Sequence, residues 1–515
     1  MAQYGIAVAN QPCNYELEMP NILLILTDQQ RWDSLGCYGA TWVDTPNLDR
    51  LAADGVRFDR CYCTNAICTP SRASLWTGKH LPGHGVYRLD DILPRDEVLF
   101  TEHLRKAGYR TGLFGKLHVS GRKYEDEKRH PGDGFDEYKW ALEGPLNMDA
   151  PMQAYSRWLE EKDPAMHKKM KKLGRDLHHP PRNIHFTRWA AEGAIGFINE
   201  NAGIRPFFCC MSVFDPHNPY EGYPIEYADR VYPSRFPDTI IDEHDDAPMH
   251  VHREREHSYL GDVDAFAADD VMRMRTGYHA SIALIDDEVG RVLEALEDSG
   301  TAEDTLVIFA SDHGDMLGDH RLLVKGAMFY DGCIRVPLIL RWPRALPKAL
   351  AIPSPVQLHD IAATVLSAAG IDLPWNESEE AICGRDLSPL IRGEISRVRE
   401  DTVNLYRNSG INRTSRDWDP PLNASMILDE RYKLSLYHGD HNDHPAGDLY
   451  DLVKDPFERN NLWLDTGSAT VRAHLMQRLL DWMVKNEIAY LGSRGGTAVV
   501  KPEEFISNTI DPNRS

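Results

Sequence analysis

Short apolar runs alternate with amphipathic stretches along most of this chain, and several of the runs stop abruptly at polar residues. Residues 21–27 read NILLILT and are followed at once by Asp28 and Gln29. An apolar run of that length, halted on a carboxylate, predicts a buried strand and is too short to cross a membrane. Further strands are predicted at 56–62, 109–114, 205–214, 305–310 and 336–342. Helical spacing marks 48–53, 69–78, 102–107 with Gly108 as its stop, 184–200 and 356–368. The plainest helix is 275–296, where Ile282, Ile285, Val289, Val292 and Leu293 share one face. Between 119 and 181 the pattern weakens. The stretch MHKKMKKLGRDLHH at 166–179 can be read as a basic binding patch, but a solvated excursion or short helix is the preferred reading.

Helices alternating with short strands predict an α/β fold, with a large central mixed sheet flanked by helices. Residues 392–423 are charged and irregular and read as a boundary or exposed connector. Beyond them come strand candidates at 424–428 and 432–437 and a late helix at 469–488, which fits a smaller C-terminal α+β subdomain. The expected division is a catalytic domain over 1–395 and a subdomain with an extended tail over 396–515. Three predicted strands, 21–27, 205–214 and 305–310, are each followed within two residues by an aspartate. Ligands in open α/β sheets gather beyond the carboxyl ends of strands, so three such ends together point to a shared site.

Composition changes this picture little. With 42% hydrophobic and 26% charged residues over 515 positions, the chain is an ordinary globular one. Its formal charge of −22 argues against a nucleic-acid or anionic-membrane partner, while leaving a small anionic substrate open through a local basic cleft. The first thirty residues show no basic leader with a long apolar run, so a cytoplasmic location is expected. Nine cysteines without regular spacing are expected to stay reduced, and Cys209-Cys210, after two phenylalanines, to pack in the core.

Residues 68–72 read Cys68-Thr69-Pro70-Ser71-Arg72. Taken alone, Cys68 is either a thiolate nucleophile helped by nearby positive charge or a buried structural cysteine. CTPSRASLWTG, however, resembles the cysteine-type signature of the sulfatase family, within the alkaline phosphatase superfamily. GYRTGLFGKLH at 108–118 resembles the second signature of that family. NILLILTDQQRWDSLGCYG, DPHNPY, SDHGDMLGDH with Lys325, and LYDLVKDPFERNNL extend the likeness in family order from about residue 20 to 465.

The resemblance implies that Cys68 is converted to 3-oxoalanine (formylglycine) by a formylglycine-generating enzyme that reads Pro70 and Arg72. The hydrated aldehyde attacks the ester through one hydroxyl and expels the alcohol. Its second hydroxyl then loses a proton, and sulfate leaves as the aldehyde is restored. The resemblance further implies one divalent metal, calcium or manganese, on Asp28, residue 68, Asp312 and His313. It casts Arg72, Lys116 and Lys325 as the cationic clamp, His118 as the base for sulfate elimination, and His217 or Lys325 as the group at the leaving oxygen. Gln29 is expected to hydrogen-bond substrate, His320 to be structural or to lie outside the ligand shell, and His84 to shape the pocket or pack in a loop.

Two departures resemble the phosphonate monoester hydrolase and choline-sulfatase-like branch: Gln29 where many sulfatases have a second aspartate, and His313 where many have asparagine. The expected substrate is a small or aryl sulfate monoester, with phosphonate monoesters or phosphodiesters as the alternative. A thiolate hydrolase and a non-catalytic scaffold are the readings from other classes. The tail after 488 either packs across a neighbouring subunit or forms a loose end, and the resemblance implies a homo-oligomer.

Overall fold

The structure is a computed structural model that describes residues 19–242, 265–375, 383–409, 421–439 and 446–493, plus positions 248, 251, 254, 260, 418 and 419. Of 487–493 only the backbone is described, and the tail singled out above lies largely outside these residues. The strands among them are β1 (Asn21–Asp28), β2 (Val56–Phe58), β3 (Cys61–Tyr62), β4 (Arg110–Gly115), β5 (Glu137–Trp140), β6 (Phe207–Pro216), β7 (Thr305–Ser311), β8 (Arg335–Val336), β9 (Leu338–Arg341), β10 (Leu350–Ile352) and β11 (Val356–Gln357). Four more, β12 (Thr402–Arg407), β13 (Asn423–Leu428), β14 (Tyr432–His438) and β15 (Gly447–Asp451), lie toward the C-terminus.

Eight strands form the central sheet in the order β10-β2-β9-β7-β1-β6-β4-β5. The run β7-β1-β6-β4-β5 is parallel throughout, and β9 pairs antiparallel with β7 and β2, so the sheet is mixed. The reason β1 is apolar at nearly every position is visible in its burial. Ile22, Leu24 and Leu26 enter a core on one face, and Leu23 and Ile25 enter a core on the other. A strand covered on both faces has no solvent side on which to alternate. Helices Phe186–Asn201 and Ala268–Asp298 cover one face, and helices Cys68–Thr77, Phe100–Lys106 and Asp360–Ala368 cover the other.

Several predicted boundaries change. The run at 56–62 divides into β2 and β3, which belong to different sheets. The run at 336–342 divides at Pro337 into β8 and β9, because proline has no N–H to give a ladder. The helix expected at 356–368 begins only at Asp360, after β11. Residues 164–173 form a short helix, one of the two forms expected for this stretch, with Met170 turned inward. The largest change is at 392–423, where the expected connector contains the buried strand β12.

That strand has a structural consequence for the site. It opens the antiparallel sheet β12-β13-β14-β15, which packs on helix Ala469–Ser493 through Leu475 and Leu479. Its other contacts face the catalytic unit. Leu405 N donates to Thr64 O at 3.1 Å, and Asn404 Nδ2 donates to Cys63 O at 3.0 Å. Asn65 Oδ1 in turn accepts from Ile67 N at 2.7 Å. The smaller sheet therefore fixes the segment that leads into the helix of Cys68. Among the described residues no helix is long and apolar enough to cross a membrane.

Candidate active site and metal centre

Because β7, β1, β6 and β4 are parallel neighbours, their carboxyl ends open on one edge of the sheet. Asp312 and His313 follow β7, Asp28 ends β1, His217 follows β6, and Lys116 and His118 follow β4. Cys68 and Arg72 come from the first turns of helix Cys68–Thr77, and Lys325 comes from the loop after β7. Two of the three strand-end carboxylates converge, and the third does not. Asp215 is held by the Thr187 hydroxyl and lies 3.8 Å from His185 Nδ1, away from the metal-type cluster.

Around the Cys68 sulfur, Lys325 Nζ stands at 2.8 Å, His313 Nε2 at 3.2 Å and Asp28 Oδ1 at 3.7 Å. His313 Nε2 is 3.6 Å from both Asp28 Oδ1 and Asp312 Oδ1. One ligand atom from each of Asp28, Cys68, Asp312 and His313 lies within 4.8 Å of the others, and all four residues are buried. Such separations suit donors that share one ion at about 2.0–2.6 Å. The donor chemistry also fits a cation. His313 Nδ1 lies 2.9 Å from Gly314 O, and donating there leaves the Nε2 lone pair facing the cluster. Two carboxylates at zero exposure need positive charge nearby. The buried aspartate, histidine and cysteine cluster thus has the donors of a single divalent-metal site.

Arg72 is fully buried and turned onto protein. Its Nε meets Asp312 Oδ2 at 2.6 Å, and its Nη1 donates to Lys116 O and Ser212 Oγ at 3.0 Å each. This network fixes the Asp312 carboxylate and the β4 end together. Replacing Arg72 with methionine is expected to lower stability by about 3–5 kcal/mol, since it strands buried carboxylates without their partner. The shift of the urea midpoint measures it, and a loss below about 1 kcal/mol would contradict this role.

Lys116 Nζ pairs with Asp28 Oδ2 and lines the cavity over Cys68. His118, His217 and Lys325 line the same cavity, whose volume is about 130 Å³. The Thr69 hydroxyl donates to Leu89 O at 2.8 Å, so it accepts from His118 Nε2 at 3.2 Å. The buried Nδ1 of His118 then carries the lone pair, and it has no hydrogen-bond partner. His217 Nδ1 lies 2.6 Å from Asn218 O, and its ring lies over Phe214 at 4.5 Å. Gln29 gives its amide nitrogen to Asp315 Oδ2 at 2.7 Å and Asn218 Oδ1 at 3.3 Å, leaving Oε1 unpaired. His320 stacks on Tyr330 and bonds Asp242, and His84 bonds Ser74 and the Val86 amide.

The charges sort by environment. Burial works against an ionised Asp28, yet Lys116, Lys325 and Arg72 outweigh it and hold its pKa well below the usual range. Burial and Asp28 oppose a Cys68 thiolate, but Lys116, Lys325 and His313 prevail and lower its pKa. Burial and the nearby cations push His118 and His217 far down, so both rings are neutral near pH 7. Lys325 moves up despite burial, through Cys68, Asp28 and Asp312, and stays protonated.

With this geometry in view, a family model described as Sulfatase matches residues 20–371. The chain belongs to the sulfatase family. A second model, N-sulphoglucosamine sulphohydrolase, C-terminal, matches residues 318–485. An arylsulfatase of Clostridium perfringens is 31% identical over 384 residues, covering 72% of this chain and 78% of the relative. An uncharacterized sulfatase, YidJ, of Escherichia coli is 29% identical over 476 residues, covering 91% and 88%. The solved phosphonate monoester hydrolase of Agrobacterium radiobacter superposes with a TM-score of 0.73 at 26% identity, covering 91% of this chain and 96% of that one. Family and site together make this sulfatase-family chain a hydrolase of that general class, with the formylglycine-type motif Asp28, Cys68, Asp312 and His313.

Sequence reading did not single out Thr69, Ser212, Asp315 or Glu125 as site residues. Asp315 anchors Gln29 and Tyr220. Glu125 accepts the backbone N–H groups of His118, Val119 and Ser120. Thr69 and Asp315 lie inside the quoted motifs, so proximity to Cys68 and Asp312 was an available signal. Glu125 lies in the charged run KYEDEK, which looks like surface.

Proposed function

We propose that this chain hydrolyses sulfate monoesters of small or aryl alcohols after Cys68 has been converted to 3-oxoalanine. The observation that carries the proposal is the pair of buried cations, Lys116 and Lys325, flanking residue 68 in one cavity with His118 and His217. The ester group needs cationic donors placed where charge develops, in a site shielded from water. Lys325, beside residue 68 and 3.9 Å from Asp28 Oδ1, is the proton donor to the departing alcohol oxygen. His118, with a free buried lone pair, takes the proton that lets sulfate leave. His217, neutral and bonded to the Asn218 carbonyl, orients the leaving group. Gln29, expected to hydrogen-bond substrate, has both amide hydrogens on Asp315 and Asn218, so its free Oε1 can only accept and has no hydrogen for an anionic ester oxygen. A divalent ion held by Asp28, residue 68, Asp312 and His313 would supply Lewis-acid stabilisation of an anionic oxygen. The choice is calcium or manganese, and the nitrogen of His313 favours manganese.

A second reading, hydrolysis of phosphonate monoesters or phosphodiesters by the same residue, is favoured by Gln29, His313 and the superposition on the phosphonate monoester hydrolase. Co-expression with a formylglycine-generating enzyme, followed by kcat/KM measurement on an aryl sulfate, choline sulfate, a phosphonate monoester and a phosphodiester, each with calcium or manganese, separates the two. The aryl sulfate is expected to lead. A clear preference for either phosphorus ester would overturn the sulfate reading.

A further inference from the structure

Beyond His217 the catalytic cavity adjoins a second, smaller chamber of about 60 Å³. Both spaces are lined by Arg175, Phe214 and His217, so they meet at the ring of the histidine placed beside the departing oxygen. The chamber wall is apolar at Tyr155, Met170, Leu177 and Phe186, and Arg175, His185 and Asp215 are among its polar members. Tyr155 has its hydroxyl turned away, donating to Ile184 O at 2.6 Å, and so presents ring to the chamber. The basic-looking stretch at 166–179 supplies Met170, Arg175 and Leu177 to this wall. Its lysines on helix Pro164–Leu173 face outward, and Met170 is its one buried residue. At the neck, Arg175 is held by Glu143 through contacts of 2.7 and 3.2 Å, with the Glu143 carboxylate almost wholly buried.

We propose that the segment carrying Met170, Arg175 and Leu177 selects the leaving alcohol, and that it selects a flat apolar one of about a single ring. This rests on the function proposed above and narrows it. The apolar part of the wall rewards burial of ring carbons at about 25 cal/mol per Å², and a sugar hydroxyl set against Met170, Leu177 or Phe186 loses its partner at a cost of about 1–3 kcal/mol. An apolar cavity of about 150 Å³ admits benzene. The chamber of about 60 Å³ is smaller than that, so one ring has to span the neck and share the cavity of about 130 Å³ with the ester group. The Arg175–Glu143 pair closes the neck beside that ring. Hydrolysis of such an ester consumes one water and releases a phenol and hydrogen sulfate, with the phenolic oxygen taking its proton next to His217 and Lys325.

The test compares phenyl sulfate, 2-naphthyl sulfate and glucose 6-sulfate on the matured enzyme. The two aryl alcohols have similar acidity, so their ratio reports fit. The wild type is expected to favour phenyl over 2-naphthyl and to be poorest on the sugar. Met170→Ala is expected to raise the naphthyl-to-phenyl ratio of kcat/KM by about fivefold or more, by opening space in the wall. Met170→Trp is expected to lower kcat/KM for phenyl sulfate by about tenfold or more. An unchanged ratio in both variants, or a wild type that prefers glucose 6-sulfate, would overturn the proposal. If only phosphorus esters turn over, the phenyl and naphthyl phosphonates replace the sulfates; the function reading then fails while the ratio still decides the selector. Calorimetric titration of the same esters into Cys68→Ala variants with and without Met170→Ala reads the fit where no ester turns over.

Discussion

Replacing Cys68 with alanine is expected to lower kcat by at least about four orders of magnitude, the scale seen when a covalent nucleophile is removed. The fold should survive, because the change removes one sulfur from the first turn of a helix whose other nine residues stay buried. The result alone does not say which nucleophile was lost. Unconverted, Cys68 has a lowered pKa and a lysine 2.8 Å from its sulfur, which are also the marks of a thiolate enzyme. Mass separates the two. Conversion of the thiol side chain to an aldehyde makes the peptide containing residue 68 lighter by roughly 18 Da, and only the converted fraction should turn over. Activity that tracks the unconverted peptide would sink the 3-oxoalanine mechanism and leave the thiolate one. In the proposed aldehyde route His118 Nδ1, which has no hydrogen-bond partner, would be the base that collapses the sulfated diol.

The strands that build the site were the easiest to read, and for a physical reason. β1, β6 and β7 lie in the middle of the sheet with both faces covered, so they are unbroken apolar runs that end where backbone and carboxylate reach the edge. Their mutual adjacency was not in the sequence, since pairing order depends on long-range contacts. β12 was hidden because TVNLYR is flanked by charge on both sides, and its polar Asn404 is spent on a buried carbonyl rather than on water. Arg72 was read as a substrate clamp from its motif, while burial places it on Asp312 and the β4 end. Met170 and Leu177 sit in a stretch rich in lysine and histidine, where a single inward residue on the helix is too weak a signal for periodicity to show. In each case the local pattern was set by neighbours in space that the chain order does not display.

Glu125 gives the second large effect, and it acts through His118. His118 has a φ of 58°, a left-handed conformation that costs an ordinary residue of order 1–2 kcal/mol. What holds it there is one buried carboxylate: Glu125 Oε2 accepts from His118 N at 2.8 Å and Trp140 Nε1 at 2.9 Å, and Oε1 accepts from Val119 N at 2.8 Å and Ser120 N at 3.0 Å. Glutamine in its place keeps one acceptor oxygen but turns an NH2 group toward two donors. Glu125→Gln is therefore expected to lower stability by about 2–3 kcal/mol and kcat by about 10- to 100-fold, with a smaller change in KM, since His118 moves relative to residue 68. Burial, offset in part by the four donors, raises the Glu125 carboxyl from its ordinary 4.5 to about 7. A raised folded-state pKa contributes stability that is complete below about 4.5 and is lost as the pH climbs through 7. The stability of the wild type relative to Glu125→Gln should therefore fall as the pH rises from about 4.5 to about 7 and level off above it. Urea titrations across that range measure the slope, and stopped-flow kcat at each pH measures the positioning. A variant with kcat within about twofold of wild type would show that the His118 loop holds its conformation without this carboxylate, and the base would then owe its placement to Thr69 alone.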